Sequence, residues 1–157
     1  VSIAKSAVQT ISNKVKLLYT FYMNVVITLP NHLLNLFLGG VKTAELRKSF
    51  PTKLNVGKEG FFIIEKGTEF CSAWCRVSSI VEFKRNSLMD INTLRAIGVS
   101  ERWVSDYREN SLCSYVWFVD KVVPLKYPIH RGYFILNHNP QSFAYAPTFS
   151  SELYSNY

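Results

Sequence analysis

Apolar positions along this chain change period several times, and each change marks an element. Val25, Val26 and Ile27 run consecutively, as in a strand buried on both faces, so residues 24–29 are expected to be extended. Pro30 then opens a helix through residues 32–38, and Gly39 and Gly40 halt it. From Lys42 to Lys48 polar and apolar residues alternate. A strand there places Lys42, Ala44, Leu46 and Lys48 on one side and Thr43, Glu45 and Arg47 on the other. Phe50-Pro51 ends it, Asn55-Val56-Gly57 reads as a turn, and residues 60–65 and 70–83 read as two strands joined at Lys66-Gly67.

The period becomes helical between Asp90 and Glu109, where Leu94, Ile97, Trp103, Val104 and Tyr107 share a face. Gly98 and Ser100 split that stretch into two short helices, with Ser100 as an N-cap. Residues 113–123 read as a strand, Pro124 and Pro128 flank a loop, and residues 132–136 supply a further strand. At the front, Ile3, Ala7, Ile11, Val15 and Leu18 form one face of a helix. Met23 stands directly before the first strong strand. Residues 1–22 are therefore read as an N-terminal helical extension, either a docked helix or a segment upstream of a natural start. Residues 23–139 form the domain and 140–157 a tail rich in Ser, Pro and aromatics. About six short strands with two or three short helices give an α+β arrangement expected to curl into a small mixed β-barrel.

Composition narrows the class. The chain has 157 residues, 48% hydrophobic and 18% charged, which excludes a disordered or low-complexity scaffold. Its 18 Lys and Arg against 11 Asp and Glu leave a net charge of +7, so polyanions are the expected partners. The uncharged stretch between Lys16 and Lys42 is interrupted by Asn24, Thr28, Pro30, Asn31 and Asn35, which argues against a membrane helix. With no secretory-type leader pattern at its start, the chain is expected to be cytoplasmic and to have no membrane partner. Cys71 and Cys75, four apart in a strand, would sit about 13 Å from each other, too far for a disulfide or a shared zinc. Buried free thiols are expected. His32, His130 and His138 have no acidic partner at ligand spacing, and neither a metal nor a cofactor is expected.

The stretch Gly40-Val41-Lys42-Thr43-Ala44-Glu45-Leu46-Arg47, preceded by a strand and a short helix, carries the chemistry. By residue type, Lys42 offers an ammonium beside a glycine pair, Thr43 a hydroxyl, and Glu45 can hold the planar Arg47 fork two residues on. This order resembles the G-x-K-T-x-E-x-R signature of the ASCH (activating-signal-cointegrator homology) domain family. The resemblance extends loosely from Met23 to Leu136. It implies a barrel similar to the PUA domain with a cleft for RNA or a modified nucleotide, bound by Lys42, Thr43, Glu45, Arg47 and Lys48.

Some ASCH-like proteins are amidohydrolases acting on acetylated cytidine and others are thought to be ribonucleases, so the resemblance also implies a hydrolase with Lys42 as catalytic lysine. The chain departs from those amidohydrolases. Glu45 stands where they carry a threonine, loose alignment puts Ile97 where they carry a glutamate, and Glu101 is the nearest carboxylate. Lys42, Glu45 and Glu101 are the catalytic candidates of that alternative, and binding ranks above catalysis. A protein-interaction or regulatory domain is the third reading. Around the helical stretch, Lys84, Arg85, Arg95, Arg102 and Arg108 with Trp103 and Tyr107 suggest a basic, stacking-capable surface, as do Tyr127, Arg131 and Tyr133.

Overall fold

The computed structural model describes residues 22–148. The expected helical extension over 1–22 lies outside them except for Tyr22, which opens the first strand. The elements in chain order are β1 (Tyr22–Leu29), α1 (Asn31–Leu38), β2 (Ala44–Arg47), β3 (Gly60–Glu65), β4 (Phe70–Lys84), α2 (Ile91–Ile97), α3 (Glu101–Glu109), β5 (Cys113–His130), a 3-10 turn (Arg131–Phe134) and β6 (Ala144–Thr148).

All six strands join one mixed sheet in the order β2-β5-β4-β3-β1-β6. β1 lies parallel to β3, with Val25 opposite Phe61, and antiparallel to β6; the remaining neighbours are antiparallel. The consecutive apolar run of β1 is explained by burial on both faces. Val25, Ile27 and Leu29 pack with Phe37, Phe61, Ile63 and Trp117 on one face, and Val26 packs with Phe62, Ile64, Trp74 and Phe134 on the other. Leu34 and Phe37 of α1 dock on the first face, where Phe37 meets the Phe61 ring edge-on at 5.8 Å. A third cluster joins Ala44 and Leu46 of β2 and Val116 of β5 to Ile97 and Val104 of the helix pair.

β4 and β5 are long, and irregular pairing at Cys71/Ala73, Arg76/Val77 and Val77/Ser79 of β4 marks bulges, the device that bends and coils a sheet. The six strands and short helices give the expected small α+β arrangement, and among the described residues the curled sheet does not close by main-chain pairing. Side chains bridge its seam instead. Arg47 Nη1 donates to the Ser142 carbonyl at 3.0 Å, the Ser49 and Ser142 hydroxyls lie 3.1 Å apart, and the Lys53 amide donates to the Tyr145 hydroxyl at 3.2 Å.

Three expectations change. β5 runs straight through Pro124 and Pro128, because β2 pairs only with Tyr115–Phe118 and leaves one side of the later strand without a ladder that proline would break. Residues 131–134 form a 3-10 turn rather than a strand, since His130 Nδ1 accepts the Gly132 amide and caps it. Residues 144–148, read as tail, are β6, so the sheet extends beyond residue 139. The helix pair stands as expected: Ser100 Oγ accepts the Trp103 amide, and Gly98 takes the left-handed conformation with φ +76°.

Candidate functional site

The end of α1 presents the signature. Gly40 turns the chain with φ +74°, and the amides of Val41 and Lys42 both donate to the Leu36 carbonyl. Thr43 is then held between two elements, its amide on the Ala96 carbonyl at 2.8 Å and its carbonyl accepting from Val119 at 2.9 Å. Lys42 thus precedes the strand and escapes its alternation. Its side chain crosses to Glu45 rather than lying with Ala44 and Leu46.

The Lys42 ammonium is interior. Nζ donates to the Ile97 carbonyl at 2.6 Å, lies 3.5 Å from Glu45 Oε1 and 5.2 Å from the Phe37 ring centre. On the other side of the carboxylate, Arg47 Nη2 lies 3.7 Å from Glu45 Oε2. Side-chain exposure rises along this row from 1% at Lys42 through 6% at Glu45 to 11% at Arg47, so the row opens toward the arginine end. Arg47 also donates to the carbonyls of Ser142, Gln141 and, at 3.4 Å, Thr28. Beside it, the buried Glu45 Oε2 accepts no hydrogen bond. Glu45 Oε1 accepts the Leu46 amide.

Burial pushes the Lys42 amine below its ordinary value of 10.5; the Glu45 carboxylate opposes this and Arg47 adds to it. The sign for stability follows. The unfolded chain holds the Lys42 proton up to about that ordinary value while the folded chain releases it earlier, so folding stability rises with pH through the interval just below 10.5. Denaturant midpoints measured across that interval should show this increment in the wild type and lack it in Lys42→Met; equal slopes would mean that Lys42 keeps its ordinary affinity for protons.

The structure brings together Lys42, Glu45 and Arg47 but distributes the other expected residues differently. Lys42 is not an open anion anchor on a cleft wall, because a carbonyl and a carboxylate already occupy its ammonium. Thr43 is exposed and held by its main chain. Lys48 is exposed, with Nζ 4.9 Å from the centre of the Tyr107 ring. Glu101 is not at the lysine; it lines a cavity of about 570 Å³ with Arg85, Leu94 and Arg108. The alignment position Ile97 contributes its carbonyl, not a side chain.

The Thr28 carbonyl and Tyr107 join the site unannounced by the motif. Tyr107 is half-buried, and its hydroxyl feels both Arg47 and Glu45; burial is the main cause that raises it. Arg108 is used structurally, donating to the Lys84 and Ser87 carbonyls, and Arg131 donates to Glu69 and Asn139. His130 meets Glu69, and among the described residues no three metal-ligating side chains gather. No helix among them is long and apolar enough to cross a membrane. Cys71 and Cys75 are buried free thiols, the former pushed up to about 12 by burial.

A curled mixed sheet with short helices and a polar interior row after its first helix defines a small α+β, PUA-like domain. No protein-family model matches the sequence, and no curated protein matches it either. Among solved structures the chain is similar to ASCH from Zymomonas mobilis, with a TM-score of 0.67 and 20% identity over 85% of this chain and 92% of that one. A serine-to-alanine variant of the same Zymomonas mobilis protein superposes with a TM-score of 0.66 at 20% identity, over 84% of this chain and 92% of that one. The fold is therefore that of the ASCH domain.

Proposed function

We propose that this module binds RNA or a nucleotide, with the Lys42–Glu45–Arg47 row as the inner wall of the site. The observation that carries the reading is Glu45 Oε2, a buried carboxylate oxygen that accepts no hydrogen bond and lies at the more open, Arg47 end of the row. A buried polar atom without a partner costs about 1–3 kcal/mol, so a ligand bringing N–H donors recovers free energy on entering. Nucleobase edges carry such donors, and carboxylates accept from them. Phosphates are met by exposed cations, Lys48 among them, rather than by the buried ammonium.

A single-stranded RNA titration at rising salt tests this. With a net charge of +7, binding led by phosphates should weaken steeply as salt increases. An affinity indifferent to salt supports the protein-interaction reading instead, and absence of binding at low salt overturns the proposal.

One observation favours a second reading, a hydrolase acting on RNA or acetylated cytidine. The buried Lys42 amine gives up its proton more readily than a free lysine, as a nucleophile or base must. Against it, the amine already donates to Ile97, Glu45 favours its charged form, and Glu101 is absent from the row. Binding without turnover remains the reading the geometry supports best.

A further inference from the structure

We infer that the exposed face of Trp103 is a stacking subsite for a second base, so that the module takes a single strand in preference to a free nucleotide. This rests on the nucleotide reading above and adds a distinct surface to it. Trp103 and Tyr107, one turn apart on α3, stack with ring centres 5.1 Å apart and an interplanar angle of 14°. Lys48 Nζ sits 4.9 Å from the Tyr107 ring centre. Tyr107 thus carries a cation and an indole, and its hydroxyl is within electrostatic reach of Arg47 and Glu45.

The column therefore runs outward from the interior row: Glu45 and Arg47, then Tyr107, then Trp103. Trp103 remains 44% exposed, whereas Trp74 and Trp117 are 4% and 0% exposed. A large aromatic plane left in solvent at the end of an ordered stack has the form of a sequence-tolerant base platform, since every base has a π-face. Charge agrees with this. The three acids of α3, Glu101, Asp106 and Glu109, all line the cavity shared with Arg85 and Arg108, which neither Trp103 nor Tyr107 lines, while Lys48 lies over the Tyr107 ring. A polyanionic strand crossing from the row to Trp103 meets cations along its path.

The burial of the other two tryptophans makes the test specific, because a base stacking on the protein's exterior reaches Trp103 alone. Short single-stranded oligoadenylate and AMP are titrated into the intact chain while tryptophan emission is followed, and affinities are measured separately by calorimetry. Oligoadenylate should quench the emission and bind more tightly than AMP. Trp103→Phe should abolish the quenching while keeping most of the affinity, and Trp103→Ala should weaken oligoadenylate roughly five- to a hundred-fold and leave AMP unchanged. Equal unfolding midpoints for the three proteins exclude a folding defect.

Equal oligoadenylate affinity in wild type and Trp103→Ala, with emission unmoved, overturns the subsite while leaving the nucleotide reading standing. Failure of the wild type to bind either probe overturns both.

Discussion

Replacing Arg47 with alanine should lower folding stability by about 2–4 kcal/mol, far more than an ordinary surface substitution. The guanidinium joins parts of the chain that no main-chain ladder joins. It donates to the carbonyls of Ser142 and Gln141 across the open seam, reaches the Thr28 carbonyl in β1, and faces the Glu45 carboxylate. Truncation strands the partly buried Thr28 carbonyl, breaks the tie to the seam carbonyls of Gln141 and Ser142, and leaves the buried Glu45 carboxylate with Lys42 alone as its ion-pair partner among the described residues. Arg47→Lys should recover only part of the loss, because a single ammonium cannot reproduce the planar fork. Denaturant midpoints decide the matter, and limited proteolysis should show earlier cleavage near Ser142. An unchanged midpoint in Arg47→Ala would show that the seam is held without it.

Gly60→Ala should be more damaging still. A Cβ built on Gly60 would lie 1.7 Å from the carbonyl oxygen of Cys75 and 2.8 Å from the Cα of Arg76, both main-chain atoms of the neighbouring strand. β3 cannot retreat, because β1 and β4 hold it on both sides and the Gly60 amide donates to Asn24 Oδ1 at 2.9 Å. The loss should exceed about 4 kcal/mol, a large part of the 5–15 kcal/mol typical of a whole domain. The variant should be unfolded or insoluble. Gly57→Ala is the control, since a Cβ there meets nothing within 4 Å and only its φ of +90° opposes it, at a cost of about 1 kcal/mol. Similar midpoints for the two variants would mean that the β3–β4 approach is looser than described.

Much of this architecture was legible because local chemistry decided it. β3 falls at Gly60–Glu65 as the apolar run between turn residues requires, β4 ends within a residue of the expected position, and Gly98 and Ser100 separate the helices. The misreadings arise where a distant partner overrides the local signal. Pro124 and Pro128 read as loop until β5 is seen to lack a neighbour on one side there. β6 carries Pro147 and follows a Ser- and Pro-containing stretch, yet pairing with β1 makes it a strand.

The site divides in the same way. The Glu45–Arg47 pairing was legible from spacing, whereas the same alternation put Lys42 on the other side of the strand. That Lys42 is buried was not legible, because its acceptor on Ile97 lies 55 residues away and its strand begins only at Ala44. Nor was the structural burden on Arg47, whose seam acceptors lie 94 and 95 residues further along the chain.

The inner wall itself is tested most directly by Glu45→Gln in the single-stranded RNA titration. The change keeps the size of the side chain but replaces an acceptor with a donor, and it removes the charge between Lys42 and Arg47. With the variant verified as folded, its affinity should fall about tenfold or more at every salt concentration while the salt slope stays that of the wild type, since no phosphate contact is lost. Wild-type affinity in the folded Gln variant would contradict the account, because RNA would then be held without engaging the row that Lys42, Glu45 and Arg47 form.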